Sequence, residues 1–327
     1  MAEETRVPVL TLKNVTKCYK VSGENHLRAR TFQAVSNVSL EVHRGETFGI
    51  VGESGCGKST LAKLIMCLEK PDEGEILFQG QRIDQLPESE RRKIRTRFQM
   101  VFQDSGSSLN PRKRVRDILS EPMRYHGVCA PEEIDGRIDE LMGMVGLPVD
   151  MKNRYPHAFS GGQRQRICIA RALSLQPDVI ILDEPVSALD VSGQAQILNL
   201  LRDLQEKLHL TYVFIGHGLG AVHYMSHRVY VMYLGRGVEL GESDELFSHP
   251  AHPYTRALLD AAPLAEADAR DRQREVIYGE IDQAPPEGAC PLYHRCPRAT
   301  EECLHFDGTM KAFAPGHLAS CGRAWEG

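Results

Sequence analysis

Apolar and polar positions alternate over three short runs near the start of the chain: "VLTLKNVTKCY" (Val9–Tyr19), "AVSNVSLEV" (Ala34–Val42) and "TFGIVG" (Thr47–Gly52). With Arg44 and Gly45 as turn residues, they predict an antiparallel edge feeding a buried strand. Lys58–Leu68 follows as an apolar-periodic stretch without a breaker, a helix set directly after a glycine-rich turn. "GEILFQGQRI" (Gly74–Ile83) returns to strand alternation, and Pro111–Asn153 reads as helical. A helix over Gln163–Ser174, a β-branched run over Val179–Leu182, a helix over Gln194–Leu208 and an apolar run over Thr211–Ile215 then alternate. That order is the grammar of βαβ units with parallel strands, so the fold class is α/β.

From Tyr254 the pattern gives way to a polar, Ala-rich tract and then a tail rich in Pro and Cys, which places a boundary near Pro253. The expected division is 1–253, with a helical insertion at about 105–160, and 254–327. The longest apolar runs are strand-sized, far below the ~20 residues of a membrane helix. The start, "MAEETRVPVL", lacks a basic region followed by an apolar core, so a cytoplasmic protein is expected.

With 327 residues, 42% of them hydrophobic, the chain can bury a full core. Lys and Arg total 39 against 44 for Asp and Glu, a net charge of -5, which supplies no bulk attraction to nucleic acid. The basic runs "RRKIRTR" (Arg91–Arg97) and "RKRVR" (Arg112–Arg116) have no interleaved aromatics and read as solvated faces. Nine cysteines in a cytoplasmic chain favour free thiols or metal over disulfides.

"GESGCGKST" (Gly52–Thr60) fits G-x-x-x-x-G-K-[ST] between an apolar run and a helix, the context of a phosphate loop. Its glycines Gly52, Gly55 and Gly57 let the backbone N–H groups, with Ser54 and Thr60 alongside, close around phosphate oxygens. Lys58 would neutralise β- and γ-phosphate charge and the Ser59 hydroxyl would ligate Mg²⁺. "VIILDEP" ends an apolar strand in Asp183, suited to Mg²⁺, and Glu184, placed to polarise an attacking water. "AFSGGQRQRICIARAL" (Ala158–Leu173) offers a second anion-binding helix start at Ser160, Gly161, Gly162 and Gln163.

These pieces in this order resemble the ATP-binding cassette family over residues 9 to about 260. The resemblance implies a P-loop NTPase core with an antiparallel β subdomain, ATP and Mg²⁺ as ligands, and ATP hydrolysis. It gives Tyr19 the place of the adenine-stacking aromatic and Gln103 that of the glutamine sensing Mg²⁺ and the transport partner. Asp190 matches the aspartate of the dimer-contact loop, and His217 the switch histidine at the γ-phosphate. It also explains the second helix start. In the family two cassettes face head to tail, and the Ser160–Gln163 segment of one caps the ATP of the other.

"GSSLNPRKRV", "PVSALDVS", "HPYTRALL" and the tail are similar to the ATPase subunits of dipeptide and oligopeptide importers, a group that includes nickel uptake systems. The similarity implies a paralogous ATPase partner, two membrane permeases, an external binding protein, no nucleic acid, and a place on the cytoplasmic face of the inner membrane. Soluble cassette ATPases of translation or DNA repair, and nickel or haem importers, are the alternatives. The first usually carry two cassettes or a large insertion, which this chain lacks. The tail cysteines Cys290, Cys296, Cys303 and Cys321 match no common zinc spacing, and zinc or free thiols stay open. A similar set in the importer family binds a four-iron, four-sulfur cluster. The chain departs from the family where it has Gly216, His217, Gly218 in place of Ser-His-Asp, and His227 where an aspartate is usual.

Overall fold

The computed structural model describes residues 8–21, 30–261, 277 and 288–322. Strands β1 (Pro8–Val21) and β2 (Arg30–His43) are long antiparallel partners, and β1 also pairs with β4 (Glu73–Phe78), which turns into β5 (Gln81–Arg82). This four-stranded sheet runs β2-β1-β4-β5 and is the expected antiparallel subdomain.

The larger sheet contains β3 (Thr47–Val51), β6 (Phe98–Val101), β7 (Val179–Asp183), β8 (Thr211–Ile215), β9 (Arg228–Tyr233), β10 (Arg236–Glu242), β11 (Lys311–Ala314) and β12 (His317–Ala319), in the order β11-β12-β10-β9-β3-β8-β7-β6. Strands β9, β3, β8, β7 and β6 are mutually parallel, and β10, β12 and β11 continue the sheet antiparallel. The central strands read as unbroken apolar runs because both faces are covered. Val179 and Ile181 of β7 join the core shared with the antiparallel sheet, while Ile180 and Leu182 join the core under the helices. The two-residue period of a strand divides one run between two cores.

Helix α1 (Lys58–Ile65) follows β3, and α2 (Glu88–Arg95) precedes β6. The region expected to be helical holds α3 (Ser105–Ser108), α4 (Val115–His126) and α5 (Ile134–Met144), leading to α6 (Gly161–Leu173). Helices α7 (Val191–Leu208), α8 (Leu219–Met225), α9 (Ser243–Ser248) and α10 (Pro253–Ala261) complete the set. Helix α1 stops at Ile65 rather than Leu68 because Cys67 takes a left-handed φ of 51°. Helix α7 starts three residues earlier than its periodicity suggested, because Asp190 caps it by accepting from the Gly193 N–H at 2.8 Å.

The tail has structure that its composition conceals. Glu239 of β10 is completely buried and pairs with Ala319 of β12. Its carboxylate accepts from the N–H groups of Ala251 (2.8 Å) and His252 (2.9 Å) and lies 2.7 Å from His317 Nε2. The last strands are thus stitched to the edge of the main sheet.

Candidate functional site

The tip of β3 and the start of α1 are joined by the loop Gly52–Gly57, in which Gly52, Gly55 and Gly57 have φ of 154°, 81° and 108°. A Cβ on Gly57 would lie 2.2 Å from the Ala34 carbonyl oxygen, so neither the conformation nor the space admits another residue. No side chain caps α1, which leaves its first N–H groups for an anion. Lys58 is buried, and its Nζ donates to the carbonyls of Gly52 (2.8 Å) and Glu53 (2.9 Å). The ammonium therefore sits within the curl of the loop.

A cleft of about 540 Å³ opens above it, lined by Ser54, Gly55, Gly57, Lys58, Ser59 and Thr60 on one side and by Gln103, Glu184 and His217 on the other. Tyr19, Phe32 and Ala34 of the antiparallel sheet form its far wall. The Tyr19 hydroxyl donates to the Glu69 carboxylate, and burial pushes its pKa up. Glu69 as the residue orienting this aromatic was not foreseen.

Glu184 follows the last residue of β7 with a left-handed φ of 48°, an uncommon conformation for a residue with a side chain. Its N–H donates to the Ile215 carbonyl at 2.8 Å, and its carboxylate meets two groups from other elements. Gln103 Nε2 donates to Oε2 at 2.8 Å, and His217 Nδ1 stands 3.0 Å from the same oxygen. Gln103, Glu184 and His217, far apart in sequence, converge on one point. Asp183 lies behind them, where burial and then the charge of Glu184 push its carboxyl above the usual carboxylate range, with Lys58 and Lys63 opposing. A partly buried carboxylate disfavoured in this way fits a cation, and Ser59 and Gln103, the other two residues expected to hold Mg²⁺, line the cleft.

Ser160, Gly161, Gly162 and Gln163 are not among the residues lining this cleft. Ser160 Oγ accepts from the Gln163 N–H at 3.3 Å while Gln163 Oε1 accepts from the Ser160 N–H at 3.0 Å, a reciprocal cap on α6. Ser160 and Gly161 are exposed, and a Cβ on Gly161 would lie 3.5 Å from Leu189, so the Asp190 loop borders this helix start.

In the tail, the Cys290 N–H donates to the Cys303 carbonyl at 2.8 Å, and Cys290, Cys303 and Cys321 border a small pocket of about 120 Å³. Burial, and then the charges of Cys296, Cys303 and Cys321, push the Cys290 thiol up to about 11. Among the described residues, no group of three or more His, Cys, Asp or Glu is gathered as an ion site. Cys56, Cys67 and Cys168 are buried within the cassette, and Cys18 and Cys129 partly so. His227 accepts from the Thr47 N–H through Nδ1 at 3.0 Å, a structural duty at the foot of β3.

Comparison with known proteins supplies the rest. Residues 35–187 match the ABC transporter family, and residues 238–303 match the oligopeptide/dipeptide transporter C-terminal region. The chain is 47% identical over 326 residues to the oligopeptide transport ATP-binding protein AppF of Bacillus subtilis (strain 168), covering 98% of this chain and 99% of that protein. It is 46% identical to the di/tripeptide transport ATP-binding protein DppF of Pseudomonas aeruginosa (strain UCBPP-PA14), covering 90% of this chain and 91% of the relative. Among solved structures, the ATP-binding cassette MJ0796, a dimer in a post-hydrolysis state bound to ADP and Pi, superimposes with a TM-score of 0.64 at 34% identity, over 72% of this chain and 98% of that one.

Proposed function

The chain belongs to the ABC transporter family, within its oligopeptide and dipeptide transport ATP-binding proteins, and from that premise we propose that it is the ATP-hydrolysing subunit energising di- or oligopeptide import through membrane permeases. The observation that carries the proposal is the convergence of Gln103 and His217 on Glu184, across one cleft from Lys58.

The polyphosphate of ATP binds along the loop N–H groups and the start of α1, with the Lys58 ammonium moving from the Gly52 and Glu53 carbonyls onto it. The adenine end lies against the wall carrying Tyr19. Ser59, Asp183 and Gln103 are the residues that would hold Mg²⁺, which neutralises phosphate charge when bound. Glu184 accepts the proton of the attacking water, and His217 and Gln103 hold its carboxylate in register.

The exposed, capped start of α6 supports the head-to-tail reading. Ser160, Gly161, Gly162 and Gln163, which do not line this chain's own cleft, serve the nucleotide of a neighbouring cassette, with the Asp190 loop at the contact. The proposed neighbour is a paralogous ATPase, working with two permeases and an external binding protein. No helix among the described residues is long and apolar enough to cross a membrane, which agrees with a peripheral subunit.

Residues 254–327 form the proposed importer-specific extension. Its four cysteines are proposed to hold a four-iron, four-sulfur cluster, supported by the hydrogen bond from the Cys290 N–H to the Cys303 carbonyl and by the pocket that Cys290, Cys303 and Cys321 border together. Anaerobic purification and metal analysis decide this: about four irons per chain support it, and zinc or no metal refutes it. The transport role is tested by reconstituting the chain with its paralogous ATPase, permeases and binding protein. Peptide-stimulated ATP hydrolysis that falls in Lys58→Ala and vanishes when Ser160→Arg is added is the expected result.

A further inference from the structure

The phosphate loop is gripped at one residue by parts of the chain remote in sequence. The Glu53 N–H donates to the Tyr254 hydroxyl at 2.9 Å, and its carbonyl accepts from Lys58 Nζ at 2.9 Å. Its carboxylate is taken by Arg295, with Nη1 donating to Oε2 at 3.1 Å and Nη2 to Oε1 at 3.2 Å. This is the fork-to-fork geometry that only a guanidinium supplies. Arg295 is 11% exposed and Glu53 30%, so water screens the pair weakly.

Tyr233 and Tyr254 complete the grip. Arg295 Nη1 also donates to the Tyr233 hydroxyl at 3.2 Å, and the guanidinium lies 5.7 Å from the centroid of that ring. The Tyr233 and Tyr254 rings are 4.6 Å apart.

Arg295 is itself anchored. Its N–H and that of Cys296 both donate to the Leu292 carbonyl at 2.8 Å, and the Leu292 side chain is 1% exposed in the main core. The guanidinium is presented by a fixed turn, whereas the loop it holds contains three glycines with positive φ and restrains itself poorly.

We propose that Arg295 is a positioning residue for nucleotide binding: its bidentate pair with Glu53 fixes the shape of the phosphate loop and neutralises a carboxylate that would otherwise repel ATP. The proposal rests on the reading of Gly52–Thr60 as the ATP phosphate loop. Without Arg295, the Glu53 carboxylate stands unpaired at the edge of a site built for anions, and the backbone between Gly52 and Gly55 loses its outer restraint. Both effects act on the affinity for ATP. Neither touches the Glu184 chemistry, so turnover at saturation should be spared.

The test uses the full-length chain with a fluorescent ATP analogue for Kd, and the assembled transporter for KM and kcat. Arg295→Ala should raise Kd and KM about tenfold, as loss of a charge-assisted bidentate pair implies, with kcat little changed. Arg295→Lys should recover only part of the loss, because an ammonium cannot bridge both oxygens. Glu53→Gln added to Arg295→Ala should recover more than half, since the unpaired charge is removed. A Kd within twofold of wild type overturns the proposal. So does weakened binding that tracks a lower nucleotide-free melting temperature and that Glu53→Gln fails to relieve. Lys58→Ala serves as the control: if it leaves binding intact, the phosphate-loop reading itself is wrong, whereas if it alone abolishes binding, only the role of Arg295 fails.

Discussion

His217 Nδ1 stands 3.0 Å from Glu184 Oε2, joining the loop after β8 to the carboxylate at the end of β7. In the proposed mechanism one residue supplies the base and the other holds it, so their losses should differ in kind. Glu184→Gln should keep ATP binding and lower turnover at this chain's own composite site at least ~100-fold, because the water loses its base while the phosphate contacts stay. His217→Ala should remove most turnover too, because the base remains but the group that holds it is gone. Equilibrium nucleotide binding beside single-turnover hydrolysis measures both.

The glycines flanking His217 are not equivalent. Neither has positive φ, so side chains are conformationally admissible at both. Gly218 caps α8 with φ -80° and ψ 100°, makes no side-chain cap, and has open space where a Cβ would stand. Gly218→Asp should therefore stabilise the protein by about 0.5–1 kcal/mol through a cap and a stiffer unfolded chain. At Gly216, an added Cβ would lie 3.0 Å from Val222 Cγ2 and 3.3 Å from Phe214 Cε1. Gly216→Ser should thus offset part of that gain, and the single Gly218→Asp variant should be more stable and hydrolyse ATP faster than the double variant. Melting curves and assembled ATPase rates of the three variants give the comparison.

Ser160 and Lys58 should disable different sites. Ser160 is exposed at the start of α6 and outside the cleft that holds Lys58. In a heterodimer, Ser160→Arg and Lys58→Ala should each leave one composite site competent, and together leave none. Trapped nucleotide in the two sites is the measurement, and a single shared emptied site would contradict the head-to-tail arrangement.

Stability should fall on mild acidification. His252 is fully buried, its Nδ1 accepts from the Tyr254 N–H at 3.1 Å, and burial lowers its pKa to about 4, against a smaller opposing effect of Glu239. The unfolded chain takes up this proton near pH ~6.5 and the folded chain does not until about pH 4. The stabilising contribution is therefore complete above pH ~6.5 and declines as pH falls toward 4, by about 3 kcal/mol in all. Urea unfolding at a series of pH values should show this slope, and His252→Asn, which keeps an acceptor for the Tyr254 N–H, should flatten it.

The cassette was legible because each of its parts is local. A glycine-rich turn, an apolar run ending in Asp183 and Glu184, and a serine-capped helix start are each encoded within ten residues or so. Strand runs such as Thr211–Ile215 matched to the residue, since a strand buried on both faces leaves an unmistakable apolar block. Legibility failed where pairing is remote. Lys311–Ala314 and His317–Ala319 are strands only because β10 offers an edge and a buried Glu239 for His317 to meet. The Glu69 partner of Tyr19 and the Arg295 partner of Glu53 are 50 and 242 residues away, with no periodicity to announce them.

That distance of 242 residues also sets an order of events in synthesis. Glu53 leaves the ribosome early, and at roughly 5–20 residues per second its arginine follows only after about 10–50 seconds. Throughout that interval the nascent chain has its lysine and its glycines but not the clasp that completes them. An ATP pocket of full strength is therefore a property of the finished polypeptide, and a prematurely terminated chain is born with a weaker claim on the cell's nucleotide.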